Sequence, residues 1–214
     1  MLWVVEQRNL WGDLGAILQS GMARREASSG PLKLERTGPF LPPLSTPWFG
    51  PEGSRVVVSD VLRCHLEGAG FAGLRFCAVA YSRVVRLNWH AWDLSAEEPA
   101  EYPKWGEPGS YIEDQAHDLV ATAAMPAAWE LLGPIFPLLL ERLESPDGGY
   151  LDQFQTKGAT VAHPHLFLSR PTYGELVVDE TGRELLTRHA GEWVRFCNVE
   201  LSVEPGDACD SPVL

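Results

Sequence analysis

The segment Val57–Val79 returns without a gap, 120 positions later, as Val177–Val199. VVSDVLRCHLEGAGFAGLRFCAV aligns with VVDETGRELLTRHAGEWVRFCNV. Eight of the 23 positions are identical: Val57/Val177, Val58/Val178, Arg63/Arg183, Leu66/Leu186, Arg75/Arg195, Phe76/Phe196, Cys77/Cys197 and Val79/Val199. A repeat of this kind restricts the fold, because the local structure of one copy has to be available to the other. Each copy reads as strand, helix, strand. A β-branched run opens it, Val56–Val58 in the first copy and Leu176–Val178, apart from its leucine, in the second. Ser59 and Asp179 then stand where a helix N-cap belongs. Both side chains accept from the first free N–H groups, so the exchange keeps the physics.

Leu66 and Leu186 fall on the buried side of the short helix, and glycines at Gly68–Gly70 and at Gly191 are expected to end it in the left-handed conformation. The closing strands are Leu74–Tyr81 and Val194–Leu201. They place Phe76 and Ala78 on one face and Cys77 and Val79 on the other. Apolar residues on both faces predict internal strands. The shared residues Leu66, Leu186, Phe76, Phe196, Cys77 and Cys197 are therefore expected in the core rather than as a paired active site.

The expected fold class is α+β. Two pseudo-repeated strand–helix–strand units, 56–81 and 176–201, sit in one mixed-sheet domain spanning 1–214, with one or two additional helices. Arg83–Trp92 reads as a further strand, and Gly38–Pro47 as an extended connector. Trp129, Leu132, Phe136, Leu139 and Leu143 recur at helical spacing and predict an amphipathic helix, or a helix pair divided at Pro134 and Pro137. Residues 203–214 read as a flexible tail. A chain of 214 residues buries about 70% of its unfolded surface, enough for a substantial core.

Composition excludes several classes of function. A formal charge of −12 opposes binding to nucleic acid or to an anionic membrane, and suits a partner that carries positive charge. Glu6 and Arg8 interrupt the apolar core a signal peptide needs, so the expected address is the cytoplasm. The most apolar long window, Ala121–Leu140, contains Glu130 and three prolines and is unsuited to crossing a bilayer. Cys64, Cys77, Cys197 and Cys209 form no CxxC pair and are expected as reduced thiols, with Cys64 in the core beside a rim imidazole at His65.

Little in the chain spells out a reaction. His163-Pro164-His165 is the most metal-like pattern, but the proline favours an extended segment that turns the imidazoles apart. No GxSxG, GxGxxG or GxxxxGK[ST] occurs. The pairs Glu97-Glu98 and Glu113-Asp114 have the residue types of a glycosidase acid pair, and also those of an ordinary solvated surface. No catalytic residue, metal ligand or cofactor is assigned.

The strongest functional lead is the acidic stretch Asp93–Asp118. It holds eight carboxylates against Lys104, a net −7 of the chain's −12. Trp92, Tyr102, Trp105 and Tyr111 are interleaved with them, and aromatic rings are preferred interface anchors. The residues expected to meet a partner are Glu97, Glu98, Glu101, Tyr102, Trp105, Glu107, Tyr111, Glu113 and Asp114. The competing reading is a solvated loop whose rings fold back onto the body.

The segment V-V-S-D, a leucine-bearing helix, a glycine turn and G-L-R-F-C-A-V resembles modules of bacterial immunity-type proteins from polymorphic toxin systems. It is also similar to a paralogous myxobacterial family defined by two CxxCG motifs, which this chain lacks together with any zinc site they would build. The resemblance covers about 40 residues up to Val79 and, more weakly, the second copy. It implies a small α/β binding protein with no catalytic residue to carry over, and the leading reading is a non-enzymatic protein that binds another protein and neutralises a toxin. The alternative is a small hydrolase with a site between the repeat units using His90, His117 or His163. From the absence of a closed ligand set, we predict that elemental analysis of the purified protein finds no stoichiometric zinc or iron. One tightly held ion per chain would promote His163 and His165 to ligands.

Overall fold

A computed structural model of the chain describes all residues except 27–29, 51–54, 102–108, 137–139, 148–149, 158–163, 170–174 and 203–214. The expected tail therefore lies outside the described residues. In chain order, the elements are β1 (Leu2–Gln7), α1 (Gly12–Ser20), β2 (Met22–Arg24), β3 (Lys33–Gly38), β4 (Leu44–Ser45), β5 (Val57–Ser59), α2 (Asp60–Gly68), β6 (Arg75–Ala78) and β7 (Ala80–Arg86). A 3₁₀ turn at Trp89–Ala91 leads to α3 (Ser110–Asp114), α4 (Leu119–Ala123), β8 (Ala128–Leu132), β9 (Leu140–Glu144) and β10 (Tyr150–Lys157). The chain then forms β11 (Leu166–Leu168), β12 (Leu176–Val178), α5 (Glu180–Ala190) and β13 (Val194–Ser202). The class is α+β with mixed sheets, and α1, α3 and α4 are helices additional to α2 and α5.

Three sheets share the strands. The large sheet runs β11-β12-β1-β13-β10-β9, a four-stranded sheet runs β4-β5-β8-β6, and a three-stranded sheet runs β2-β3-β7. Pairing is antiparallel except for β10 with β13 and β3 with β7. The strands on either side of α2 flank β8, and those on either side of α5 flank β1. The caps follow from side-chain chemistry: Ser59 Oγ accepts from Leu62 N–H at 3.3 Å, and Asp179 Oδ1 from Gly182 N–H at 3.0 Å. The arginines shared by both segments also have a physical reason. Arg63 lies 4.4 Å over the Trp129 ring of β8, and Arg183 lies 4.5 Å over the Trp3 ring of β1.

Alternation along the central strands distributes side chains between separate apolar layers. Val56, Val58, Leu176 and Val178 enter the main layer with Trp3, Val5, Leu131, Leu62, Leu66 and Leu186. This layer lies between the large sheet, the four-stranded sheet and the two helices. Val177 turns the other way, to Val4, Phe154, Phe167, Cys197 and Val199. Val57 likewise faces Leu32, Leu34 and Leu41 beneath the three-stranded sheet. Where α2 meets α5, the imidazoles of His65 and His189 stack with their centres 3.6 Å apart.

Several expectations are corrected. The segment around Trp129–Leu143 forms strands β8 and β9 instead of a helix. Glu130 and Leu131 are consumed in pairing with Val57 and Phe76, and tertiary pairing overrides the helical spacing. The strand expected over Arg83–Trp92 ends at Arg86 and turns. β6 is an edge strand, not an internal one, so Cys77 is exposed and Phe76 only partly covered. β13 is internal, and Cys197 is fully buried. Cys64 is exposed rather than in the core. Gly70 takes the left-handed conformation (φ 68°), but Gly191 keeps a right-handed φ of −57°.

One buried cation holds the end of α1. Arg36 is completely inaccessible, and its guanidinium donates to the carbonyls of Gln19 (2.7 Å), Thr37 (3.1 Å) and Phe40 (3.2 Å). Gln19 lies in the last turn of α1, where free carbonyls favour positive charge. Burial lowers the Arg36 pKa to about 10, which leaves it charged at neutral pH. Gly21 (φ 74°) follows, and a Cβ there would sit 2.5 Å from the Arg36 Cβ, so the position excludes larger residues.

Leu66 and Leu186 are each 1% exposed or less. Leu66→Ala and Leu186→Ala should each cost about 2–5 kcal/mol in urea denaturation, whereas Phe76→Ala on the edge strand should fall short of the ~3 kcal/mol expected of a fully packed ring. A loss at Phe76 of about 3 kcal/mol or more would contradict the edge placement.

Candidate functional site

The acidic stretch is tied down at its start by aromatic packing. Trp89 is fully buried, edge-on to Phe40 (5.3 Å) and Trp193 (5.9 Å), and His90 stacks on Phe40 at 4.6 Å. Trp92 tilts against Trp11 at 5.7 Å, and the Trp11 indole donates to the carbonyl of Ala96 at 3.0 Å. The Asp93 carboxylate accepts from the hydroxyl (2.6 Å) and backbone N–H (2.9 Å) of Ser95, and these bonds hold its pKa below the usual carboxylate range.

The stretch is tied again at its end. Arg83 donates to the carbonyls of Glu113 (2.7 Å) and Gln115 (2.9 Å), closing the C-terminal side of α3. His117 Nδ1 accepts the N–H of Val84 at 3.1 Å. Asp118 caps α4 through Ala121 N–H (2.8 Å) and pairs with Arg86 (2.7 Å). The Arg86 hydrogen bond, then the backbone N–H, lowers the Asp118 pKa to about 2.

Between these anchors, Glu97, Glu98, Glu101, Glu113 and Asp114 are exposed. Among the described residues none of the five forms an ion pair. Tyr102, Trp105 and Glu107, also expected at the partner surface, lie outside the described residues. The expected anchor Tyr111 is half-buried and packs with Trp92 against the Leu18–Trp89 cluster, so these rings fold back onto the body. Burial, then the charge of Glu101, raises the Tyr111 phenol pKa.

Among the described residues, the candidate histidines His90 and His117 are not brought together. His90 stacks on an aromatic ring and His117 is occupied by a backbone amide. His163 lies outside the described residues, and His165 Nδ1 sits 2.7 Å from Asp179, the cap of α5. No group of three or more His, Cys, Asp and Glu able to hold a metal ion occurs among the described residues. No described helix is long and apolar enough to cross a membrane.

A second charged cluster escaped the sequence reading. Glu6 is clamped by Arg142 (3.1 Å) and Arg195 (2.6 Å), from positions 136 and 189 residues away. The only signal in the sequence was the identity of Arg195 with Arg75, which reads as scaffold. No family model matches the chain, and no curated protein or solved structure matches it either.

The depressed Asp118 pKa has a pH consequence. Its folded carboxyl lies below the ordinary 3.8, so the stabilisation is present above that value and is lost as pH falls towards about 2. Asp118→Asn keeps a cap acceptor but loses the ion pair. Its thermal midpoint should therefore fall less between pH 4 and pH 2 than that of the parent. Parallel profiles would refute the assignment.

Proposed function

We propose that this chain is a non-catalytic binding protein that docks a basic protein partner through the face built by Glu97, Glu98, Glu101, Glu113 and Asp114. The observation that carries the reading is that these five carboxylates are exposed, and form no ion pair among the described residues, on a stretch anchored at both ends. Arg83 and Arg86 lie in β7, which packs against α3 and α4. Those arginines are committed to backbone carbonyls and to Asp118. A concentrated negative field accelerates encounter with a cationic partner and excludes anionic ones.

The resemblance of Val57–Val79 to immunity-type proteins makes a bacterial toxin, neutralised in the cytoplasm, the class of partner we propose. Capture of a toxin needs a complementary surface and no chemistry of its own. With Trp92 and Tyr111 directed into the body, the exposed carboxylates are the recognition elements proposed here, and charge sets the rate of encounter.

Replacing Glu97, Glu98 and Glu101 by lysine should lower the association rate with a basic toxin encoded beside this gene by about tenfold or more at low salt, and should flatten its salt dependence. Binding kinetics at two salt concentrations, with survival of toxin-expressing cells, test this. A charge-reversed protein that associates and protects as the parent does would place the interface elsewhere.

A further inference from the structure

A cleft of ≈ 360 Å³ opens beside β1, in the size range of small-molecule sites. Its origin is a mismatch of strand lengths. β12 pairs with β1 only over Trp3–Val5, whereas β13 pairs along Leu2–Gln7. Glu6 and Gln7 therefore run past the end of β12, and Leu44 and Val56 from the four-stranded sheet supply an apolar wall.

The charged groups in this cleft invert the character of the protein. Arg55, Arg142 and Arg195 line it against Glu6 and Glu175, in a chain whose overall charge is −12. The cleft already demonstrates grip on a carboxylate. Arg142 donates from both terminal nitrogens to the two Glu6 oxygens (3.1 and 3.3 Å), while Arg195 approaches from another side through Nε (2.9 Å) and Nη2 (2.6 Å). Planar guanidinium forks match carboxylate and phosphate oxygens, and a partly enclosed site strengthens each such bond. The Glu175 carboxylate is turned to the Ser169 hydroxyl at 2.6 Å. The Gln7 side-chain amide oxygen Oε1 accepts from the backbone N–H of Thr46 at 3.1 Å, which ties the end of β1 to the far wall of the cleft.

We propose that this cleft binds a small oxyanion, a carboxylate or a phosphate, through Arg142 and Arg195, with Glu6 as a tethered competitor for the same guanidiniums. The site is separate from the acidic face and stands whether or not that face binds a protein. Glu6 keeps the arginines oriented when no ligand is bound, and yields one side of the clamp to an incoming anion.

Isothermal titration calorimetry of the whole protein with inorganic phosphate and, separately, citrate tests the proposal, with ionic strength held constant by sodium chloride. A saturable single site is expected for at least one probe. Saturation by phosphate alone identifies a phosphate ligand, and saturation by citrate alone identifies a carboxylate. Arg195→Gln, a change at a half-exposed side chain, should weaken binding about tenfold or more, the worth of a charge-assisted hydrogen bond. Glu6→Gln should tighten binding by removing the competitor, and a thermal melt checks that this variant is folded. No saturable heat from either probe up to about 10 mM, or an Arg195→Gln protein that binds as the parent does, overturns the proposal.

Discussion

Val58 and Val178 meet in one apolar layer, and the rest of the fold is arranged to keep that layer free of water. Both are fully buried, as are Leu66 and Leu186 from the helices that cover them. Burying a side chain of this kind is worth about 1.5–3 kcal/mol. The two strands contribute to further layers on their opposite faces through Val57 and Val177, so they cannot slip by one residue without exchanging every partner. Arg63 and Arg183 close the layer at its edge by lying over Trp129 and Trp3. Their charged heads stay near solvent while their stems and the rings shield the interior.

Polar groups are sorted around this core by what they can satisfy. Arg36 is tolerated at full burial because it meets three backbone carbonyls at and near the end of α1. Asp118 and Arg86 join a helix cap to a strand. Asp93 is spent on its own turn. The five other described carboxylates of the stretch are exposed and have no structural task among the described residues. The arginine cleft is the complementary case, with cations gathered around Glu6 at the end of a strand. The two places differ in sign and in shape, one an exposed rim and the other a recess, and they suit different classes of ligand.

Much of the local structure was legible in the sequence. The β-branched runs, the caps at Ser59 and Asp179 and the leucines at Leu66 and Leu186 follow from propensity and hydrogen-bonding chemistry within a few residues. The acidic stretch was legible as charge, but the direction of its rings was not. Trp92 and Tyr111 turn inward because Leu18, Trp89 and Trp193, distant in the chain, offer them an apolar site. The helix expected around Trp129–Leu143 failed for the same reason, since β8 gains ladder partners on both sides that its own spacing could not announce.

By itself, then, the sequence determined the element types of the two similar segments, their caps, the sign of the charge over 93–118 and the apolar identity of the core. Those properties depend on neighbours in the chain or on composition. Tertiary structure alone decided that β6 lies at an edge and β13 inside, which exposes Cys77 and buries its sequence counterpart Cys197. It alone brought Arg142 and Arg195 to Glu6. The physical reason is that sheet order and charge convergence are set by contacts between residues distant in the chain, and no local pattern of side chains encodes which strand will pair with which.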